Sequence, residues 1–338
     1  MTGYIVRRII SMIVVLFAVS LLTFFFMQLI PGSPFDGEKN IPPAVIRQLE
    51  AKYNLDQPVW RQYVSYMEDL VVPRITGEVV PPRPNGVVED YLINIPIIGT
   101  DNVIRWMNFG PSYRSSSQSV NDIFERHLPI SFQLGLAAMI VALTIGIPTG
   151  IAAGLRRNSW VDYASMSIAL LGVSVPAIVS GPILRYVFGV QLQWLPPTGW
   201  GTFEHVILPA FALGFGSSAL LARLTRASLL QVLNEDYIRT ARAKGLSSRV
   251  VIGLHALKNS MIPVITVLGP MFAALVTGTF VVEIVFGVPG LGRFFITSIG
   301  NRDYPVIMGT TLLYGFFLVV SNFIVDLLYG VLDPRIVY

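Results

Sequence analysis

The side chains best suited to metal binding or proton transfer are few in this sequence and lie far apart. The three histidines are His127, His205 and His255, and there is no cysteine. A metal site needs several ligands close together, and an activated nucleophile needs a base beside it. The spacing of the histidines indicates neither arrangement, so we interpret each as structural. Without cysteine, disulfides, thiol catalysis and cysteine-based metal sites are excluded.

Two carboxylates, Glu283 and Asp326, border long apolar stretches of the sequence. An ionisable residue beside a membrane span is a functional-site hypothesis by default. Glu283 adjoins a glycine- and proline-rich loop at residues 286–293, where it either contributes to function or is simply solvated. We expect Asp326 to be paired or to lie at the membrane interface.

The composition is that of a membrane protein. Apolar residues make up 53% of the 338 residues, charged residues only 13%, and the mean hydropathy is +0.63. A soluble domain carries about 25% charged residues, and a membrane-spanning helix needs about 20 apolar residues in a row. Six stretches meet this requirement, which predicts an all-α integral membrane protein with about six transmembrane helices: residues 9–30, 128–155, 163–189, 206–222, 260–282 and 304–325.

Positive charge is distributed unevenly between the two sides of these spans. With the N-terminus inside, the short outer loops hold only Arg293 and Arg302, whereas the inner segments hold most of the other arginines and lysines. Because short cytoplasmic loops are enriched in Lys and Arg, both termini are predicted to be cytoplasmic and the long loop after the first span extracytoplasmic. The net charge of +4 is explained in the same way, since no nucleic-acid-binding motif is present.

The long loop has helical periodicity in its first half. Apolar residues recur at helical spacing around residues 45–53 and 60–71, which predicts two short amphipathic helices. The prolines and glycine of residues 73–96 favour irregular backbone. We expect this loop to form a small extracytoplasmic cap.

Prolines and glycines recur inside the predicted spans. They include Pro148, Pro176, Pro263 and the stripe of Gly146, Gly150 and Gly154. Small residues let helices approach closely, and prolines kink them. Two compatible interpretations remain open: a well-packed bundle with kinks, or bending helices that gate a path.

The inner segment 223–259 is too long for a simple connector. Asn234 can cap a helix that begins with Glu235 and Asp236, and Gly245 suits the left-handed position after its end. A short helix between two spans is typical of a docking element. The alternative is an interfacial helix lying on anionic lipid headgroups.

This segment carries a resemblance to a known family. The run DYIRTARAKGL at 236–246, followed by HALKN at 255–259 and Pro263, resembles the signature of ABC-importer permeases, in particular the first membrane subunit of the dipeptide/oligopeptide class. Ala241, Gly245 and Leu257 keep the family spacing, whereas Arg239 and Thr240 replace the usual Glu-Ala. Further matches lie at residues 6–9, 30–34, 289–293, 302–305, 326–330 and 333–335. Residues 73–105 look like an insertion.

The resemblance implies a type I ABC-importer permease fold that works with four kinds of partner. These are a second permease subunit, two cytoplasmic ATPases, an extracytoplasmic binding protein and membrane lipid. Asp236 to Lys244 would form a coupling helix seated on one ATPase. Residues implied in this contact and in the turn after it are Asp236, Tyr237, Arg239, Thr240, Ala241, Arg242, Lys244, Gly245 and Leu246. The chain has no phosphate-binding GxxxxGK[ST] loop, so ATP and magnesium would bind to the partners, and no cofactor or enzymatic activity is expected here.

The same resemblance divides the chain into four parts. They are residues 1–30 (N-terminal end and first span), 31–126 (extracytoplasmic loop), 127–330 (core permease) and 331–338 (cytoplasmic tail). The loop after the fifth span is either a tight turn or an outer gate and contact for the binding protein. Its candidate residues are Glu283, Phe286, Pro289, Gly290 and Arg293.

Alternative functions remain open from the residues alone. A secondary transporter or channel independent of ATP would be expected to place ionisable residues at mid-membrane, but the span centres lack charge. A purely structural subunit would not explain the elaborate inner segment. Within the resemblance, the cargo is a dipeptide, an oligopeptide, glutathione, a nickel chelate or an oligosaccharide. The membrane would be the bacterial or archaeal cytoplasmic membrane.

Overall fold

The computed structural model describes residues 2–30, 32–35, 42–77, 87, 89–115, 118–277 and 280–332. Helices account for most of these residues. They are α1 (Thr2–Gln28), α2 (Pro43–Lys52), α3 (Val59–Val71), α4 (Val120–Leu155), α5 (Trp160–Ser174), α6 (Ala177–Leu184), α7 (Phe203–Leu233), α8 (Asp236–Ala243), α9 (Ser248–Val250), α10 (Lys258–Val276), α11 (Phe280–Phe286), α12 (Gly292–Asn301) and α13 (Tyr304–Leu332). Two π-helical segments, Arg185–Gln191 and Val251–Leu257, continue α6 and precede α10.

The described residues contain five helices long and apolar enough to cross a membrane, or six if the bent pair of α5 and the α6 segment counts as one span. The prediction of about six spans is confirmed. The third span is not one straight helix, however, because α5 and the α6 segment meet at 104°. Pro176 lies at this break and has no N–H to donate to Gly172, so the α-helical hydrogen bonding is interrupted there.

The chain forms two compact units. The first comprises the described parts of Met1–Ile10, Ile130–Gly290 and Phe317–Tyr338. Its core is built from apolar side chains of α4, α7, α10 and α11, such as Leu134, Leu221, Val264 and Val282, all at most 1% exposed. The glycine stripe of α4 faces α7: a β-carbon at Gly146 would lie 2.6 Å from the carbonyl oxygen of Ser218. The close helix packing predicted for this stripe is confirmed.

The second unit comprises the described parts of Ser11–Pro129 and Leu291–Phe316. Both amphipathic helices predicted in the long loop are present as α2 and α3. Irregular backbone is wrong for part of residues 73–96, because Arg74–Gly77 (β1), Ile93–Pro96 (β2) and Asn102–Trp106 (β3) form a three-stranded antiparallel sheet ordered β1-β3-β2. The central strand pairs Ile104 with Ile75 and with Ile95. The prediction for residues 78–86 lies outside the described residues.

Apolar side chains from distant parts of the sequence form the core of the second unit. Phe109 and Phe124 pack edge to face with ring centroids 5.0 Å apart, and Met308 of α13 is buried in the same cluster. The all-α prediction therefore holds for the spans, while the small sheet is an addition to it.

Candidate functional site

The helix that leads into the candidate docking segment is longer than predicted. The fourth span was expected to end at residue 222, but α7 continues without a break to Leu233. Asn234 does not cap the following helix, because its side-chain amide donates to the carbonyl oxygen of Leu230 at 2.9 Å and so terminates α7. Glu235 occupies the N-cap position of α8 without a side-chain capping bond. The proposed Asn234 cap was therefore wrong.

One side of α8 packs against its own chain. Ile238 is 0% exposed and Ala241 is 8% exposed, and both cluster with Leu229 of α7 and with Val251 and Ala256 of the adjoining π-helical segment. Burial of these apolar groups fixes the helix in place. Ala241 was expected to touch a partner. Its side chain faces the chain's own core, and a contact with a partner stays a prediction.

The other side of α8 is open to solvent and mostly charged. Arg239 donates to the Asp236 carboxylate at 3.3 Å, and both side chains are highly exposed. The hydroxyl of Tyr237 accepts a hydrogen bond from the Asn259 amide at 2.8 Å. We define the exposed face as the residues of the candidate set that remain accessible: Asp236, Tyr237, Arg239, Thr240, Arg242, Lys244 and Leu246. Three cations and one carboxylate give this exposed face a net positive charge.

The end of α8 has the geometry predicted for Gly245. Its φ is +78°, a conformation that L residues rarely adopt. The N–H of Gly245 donates to Arg242 O at 3.0 Å, and the N–H of Leu246 donates to Ala241 O at 3.4 Å. These two bonds are those of a Schellman motif, which satisfies the last carbonyls of a helix and reverses the chain.

Glu283 is buried rather than solvated. Glu283 is only 1% exposed, and the hydroxyl of Ser131 donates to its carboxylate at 2.9 Å. Its backbone carbonyl also accepts from the N–H of Val288 at 2.8 Å, which closes the turn at the start of the loop. The solvated interpretation of Glu283 was therefore wrong.

The remaining loop candidates differ in their exposure. Phe286 is 2% exposed within the apolar core of its unit. Gly290 lies against the Glu283 carboxylate, and a β-carbon there would fall 2.6 Å from Ser131 Oγ. Pro289 is half-buried, whereas Arg293 is exposed and lies 4.8 Å from the ring centroid of Phe294. Of the five candidate residues, Arg293 is exposed and Pro289 is partly exposed.

A cavity of about 450 Å³ lies beside the bend between α5 and α6. It is lined by apolar and small residues of α5, α6, α7 and α10, among them Val175, Ser180, Gly216 and Leu275. The described residues that line it carry no charge. This wall offers apolar contact and a few hydroxyl groups but nothing that would select one charge over another.

Ion pairs lie at the ends of several spans. Arg8 pairs with Asp326, as expected for that carboxylate. Asp162 binds Arg226, a pair that the sequence does not reveal because 64 residues separate its members.

Two of the histidines contact neighbouring side chains. His205 Nδ1 is 2.7 Å from the Thr202 hydroxyl, and the ring centroid of His127 is 4.6 Å from that of Phe294. Among the described residues, no cluster of three or more potential metal ligands was found.

The family model of the binding-protein-dependent transport system inner membrane component matches residues 146–338. A model for the N-terminal part of such membrane components matches residues 1–83. Together they cover both the first span and the segment that contains α8.

Curated relatives match the chain over its full length. The dipeptide transport system permease protein DppB of Bacillus subtilis is 42% identical, covering 99% of this chain and 98% of the relative. The oligopeptide transport system permease protein OppB of Salmonella typhimurium is 39% identical over 100% of both chains. Among solved structures, the inward-facing MetNI methionine ABC transporter is similar over 62% of this chain and 96% of its own, with 17% identity and a TM-score of 0.49, a similarity too low to add to the assignment. The family matches and the full-length relatives show that this chain belongs to the binding-protein-dependent transport system inner membrane component family.

Proposed function

We propose that this chain is the membrane-spanning permease subunit of an ATP-driven importer of peptides. The observation that carries the proposal is the exposed face of α8, a charged surface on a short helix that Ile238 and Ala241 anchor to the chain's own core. The names of the full-length relatives, which are dipeptide and oligopeptide permeases, support peptides as the cargo.

The proposed assembly contains a second, homologous permease subunit, two cytoplasmic ATPases and an extracytoplasmic binding protein. ATP and magnesium bind to the ATPases, because this sequence lacks a phosphate-binding loop. The chain resides in the bacterial or archaeal cytoplasmic membrane with both termini and α8 in the cytoplasm and with residues 31–126 outside, in accord with the distribution of Arg and Lys.

In this proposal α8 is the coupling helix. Its exposed face sits in a groove of one ATPase, and the mixed charges of Asp236, Arg239 and Lys244 pair with groups on that groove. Because Ile238 and Leu229 of α7 belong to one buried cluster, a displacement of α8 moves the end of α7 with it. ATP-driven closure of the ATPases therefore shifts the population of permease conformations, to the extent that binding energies differ between them.

The opposite end of the same unit contributes the proposed outer gate. In the loop from Phe286 to Gly290, the N–H of Val288 donates to the backbone carbonyl of Glu283, and Gly290 lies against the buried Glu283 carboxylate, to which the Ser131 hydroxyl donates. Arg293 belongs to the second unit. It is exposed and is the proposed contact for the binding protein. The uncharged wall of the 450 Å³ cavity accords with a path that accepts peptides regardless of their side-chain charge.

Substitution of Gly245 tests the coupling role. In the reconstituted complex, Gly245→Val strains a backbone with φ of +78° although the space around it is open. We expect ATP hydrolysis to continue while peptide uptake falls. The matched control is Gly253→Val, at a glycine that also has open space but no positive φ. Normal uptake by a normally assembled Gly245→Val complex would contradict the proposal, as would purification of the chain without any ATPase.

A further inference from the structure

Asp162 and Arg226 form a bidentate ion pair between α5 and α7. Nε of Arg226 donates to one carboxylate oxygen at 2.5 Å, and Nη2 donates to the other at 2.7 Å. The backbone N–H of Asn158 adds a third bond to the carboxylate at 3.0 Å. Two parallel bonds from a planar guanidinium fix the angle between the partners as well as their distance.

Asp162 is shielded from solvent, whereas Arg226 is partly exposed. The Asp162 side chain is 3% exposed and the Arg226 side chain 27% exposed. Removal of one partner leaves an uncompensated charge, whereas apolar replacement of both members of such a pair is often neutral or stabilising. Stability alone therefore does not require an ion pair at this position, and its directional geometry calls for a separate explanation.

Arg226 lies on the part of α7 that continues towards α8. Leu229, less than one turn farther along, is 0% exposed and belongs to the cluster that holds Ile238 and Ala241 of α8. From Arg226 to the end of α7 at Leu233 the uninterrupted helix extends for about 10 Å. The ion pair and the anchor of α8 thus lie on one rigid segment.

Asp162 lies near the start of α5, the helix that ends at the 104° bend. α5 also contacts α7 closer to that bend, where a β-carbon at Gly172 would lie 2.9 Å from that of Ala219. The ion pair between Asp162 and Arg226 is therefore placed to set the register of α5 against α7. The bend and the cavity beside it lie at the other end of α5.

We propose that Asp162 and Arg226 are positioning residues that transmit movement of the α7–α8 segment to the bent pair α5–α6. This inference rests on the proposed function, since it requires that α8 be displaced by an ATPase. The ion pair then acts as a clamp: its two-bond geometry makes α5 follow α7 when α8 moves. A contact without that geometry would let α5 lag behind.

The test measures peptide uptake and ATP hydrolysis in the same proteoliposomes containing the full complex. Arg226→Lys keeps the charge but loses the planar fork. We expect complexes with this substitution to assemble and hydrolyse ATP, while the number of peptides imported per ATP falls below that of the unmodified complex. Arg223→Lys is the matched control, because Arg223 is exposed on the same helix; its ratio should equal that of the unmodified complex.

A second variant separates positioning from stability. The double variant Asp162→Leu/Arg226→Met replaces both charged side chains by apolar ones. If the ion pair served stability alone, this variant should have the thermal stability and the peptide-to-ATP ratio of the unmodified complex. The clamp predicts that the ratio stays low even when stability recovers. The clamp would be overturned if the Arg226→Lys complex had the same peptide-to-ATP ratio as the unmodified complex. It would also be overturned if the ratio fell only in proportion to the loss of thermal stability. Absence of ATP-dependent uptake in the unmodified complex would instead overturn the proposed function.

Discussion

Gly150 lies so close to Ala222 that a β-carbon on the glycine would sit 2.5 Å from the alanine carbonyl oxygen and 2.6 Å from the β-carbon of Thr225. α4 and α7 can approach to this distance only because Gly150 has no side chain. Gly154, one turn along, faces Leu229, where a β-carbon would lie 3.0 Å from the leucine Cδ2. The contact extends along α7 towards the segment that anchors α8.

Gly150→Ala is expected to destabilise the first unit by about 1–3 kcal/mol, because the new methyl group overlaps backbone that cannot move aside cheaply. Thermal unfolding of the purified protein in detergent measures the effect. Gly253→Ala serves as control, since a β-carbon at that glycine would have no atom within 4 Å. Equal unfolding temperatures for the two variants would contradict the helix contact described here.

Ile238→Ala should loosen α8 from its anchor. Truncation of a fully buried isoleucine costs about 2–5 kcal/mol, and here the loss is local to the cluster with Leu229. Hydrogen exchange of the amides of residues 238–244 should accelerate. Leu246→Ala removes a side chain that is 41% exposed and should change the exchange much less. Similar acceleration in both variants would show that the anchor is not the buried face of α8.

Gly290→Ala is expected to displace the loop from the Glu283 carboxylate. Its β-carbon would fall 2.6 Å from Ser131 Oγ, in the space that the hydrogen-bonded pair occupies. Because the chain has no cysteine, a single Val288→Cys reports on the loop through its reaction with a maleimide. Val288 is 3% exposed, so labelling should be slow in the parent and faster after Gly290→Ala.

The control for this labelling is Gly300→Ala, at a glycine with open space around it. It should leave the labelling rate unchanged. A rate that Gly290→Ala does not raise would mean that the loop accommodates the extra methyl group without leaving the carboxylate.

Asp303 should make the second unit less stable as the pH rises. Burial raises the pKa of its carboxyl above 3.8, although hydrogen bonds from the Ser112 hydroxyl and from backbone N–H groups such as that of Tyr113 oppose this change. Between 3.8 and the folded-state pKa, the folded protein holds the proton that the unfolded chain has released. The free energy of unfolding therefore falls as the pH rises through this window and levels off above it.

Asp303→Asn removes this titration and should flatten that part of the pH dependence. The check is the unfolding temperature of both proteins across a pH series that starts below 3.8. If the slope is the same in the variant, Asp303 is not its source.

The helices could be predicted because their determinants are local. Periodic apolar residues identify α2 and α3. A glycine directly after a helix that has cations near its end predicts a left-handed residue there, and Gly245 has a φ of +78°. The sheet was missed because its strands are only four or five residues long and pair across the insertion, as Ile75 does with Ile104. None of these strands shows a strong signal by itself.

The site could be predicted only where one segment determines it. The exposed face of α8 follows from a single run of sequence, but the burial of Ala241 depends on α7 and on the π-helical segment. The burial of Glu283 likewise depends on Ser131, which is 152 residues away. Asn234 was assigned to the wrong helix because it lies between the end of α7 and the start of α8. Its amide bonds to the carbonyl of Leu230 in α7.

The docking of α8 on an ATPase is tested most directly by crosslinking from single cysteines in this cysteine-free chain. Arg239→Cys and Thr240→Cys place a maleimide-linked photocrosslinker on the exposed face of α8, and Thr297→Cys places one on the exposed surface of α12. We predict that the first two yield a covalent product with an ATPase subunit in the assembled complex and that the third does not. Failure of both α8 positions to reach an ATPase in a complex that still imports peptide would contradict the account.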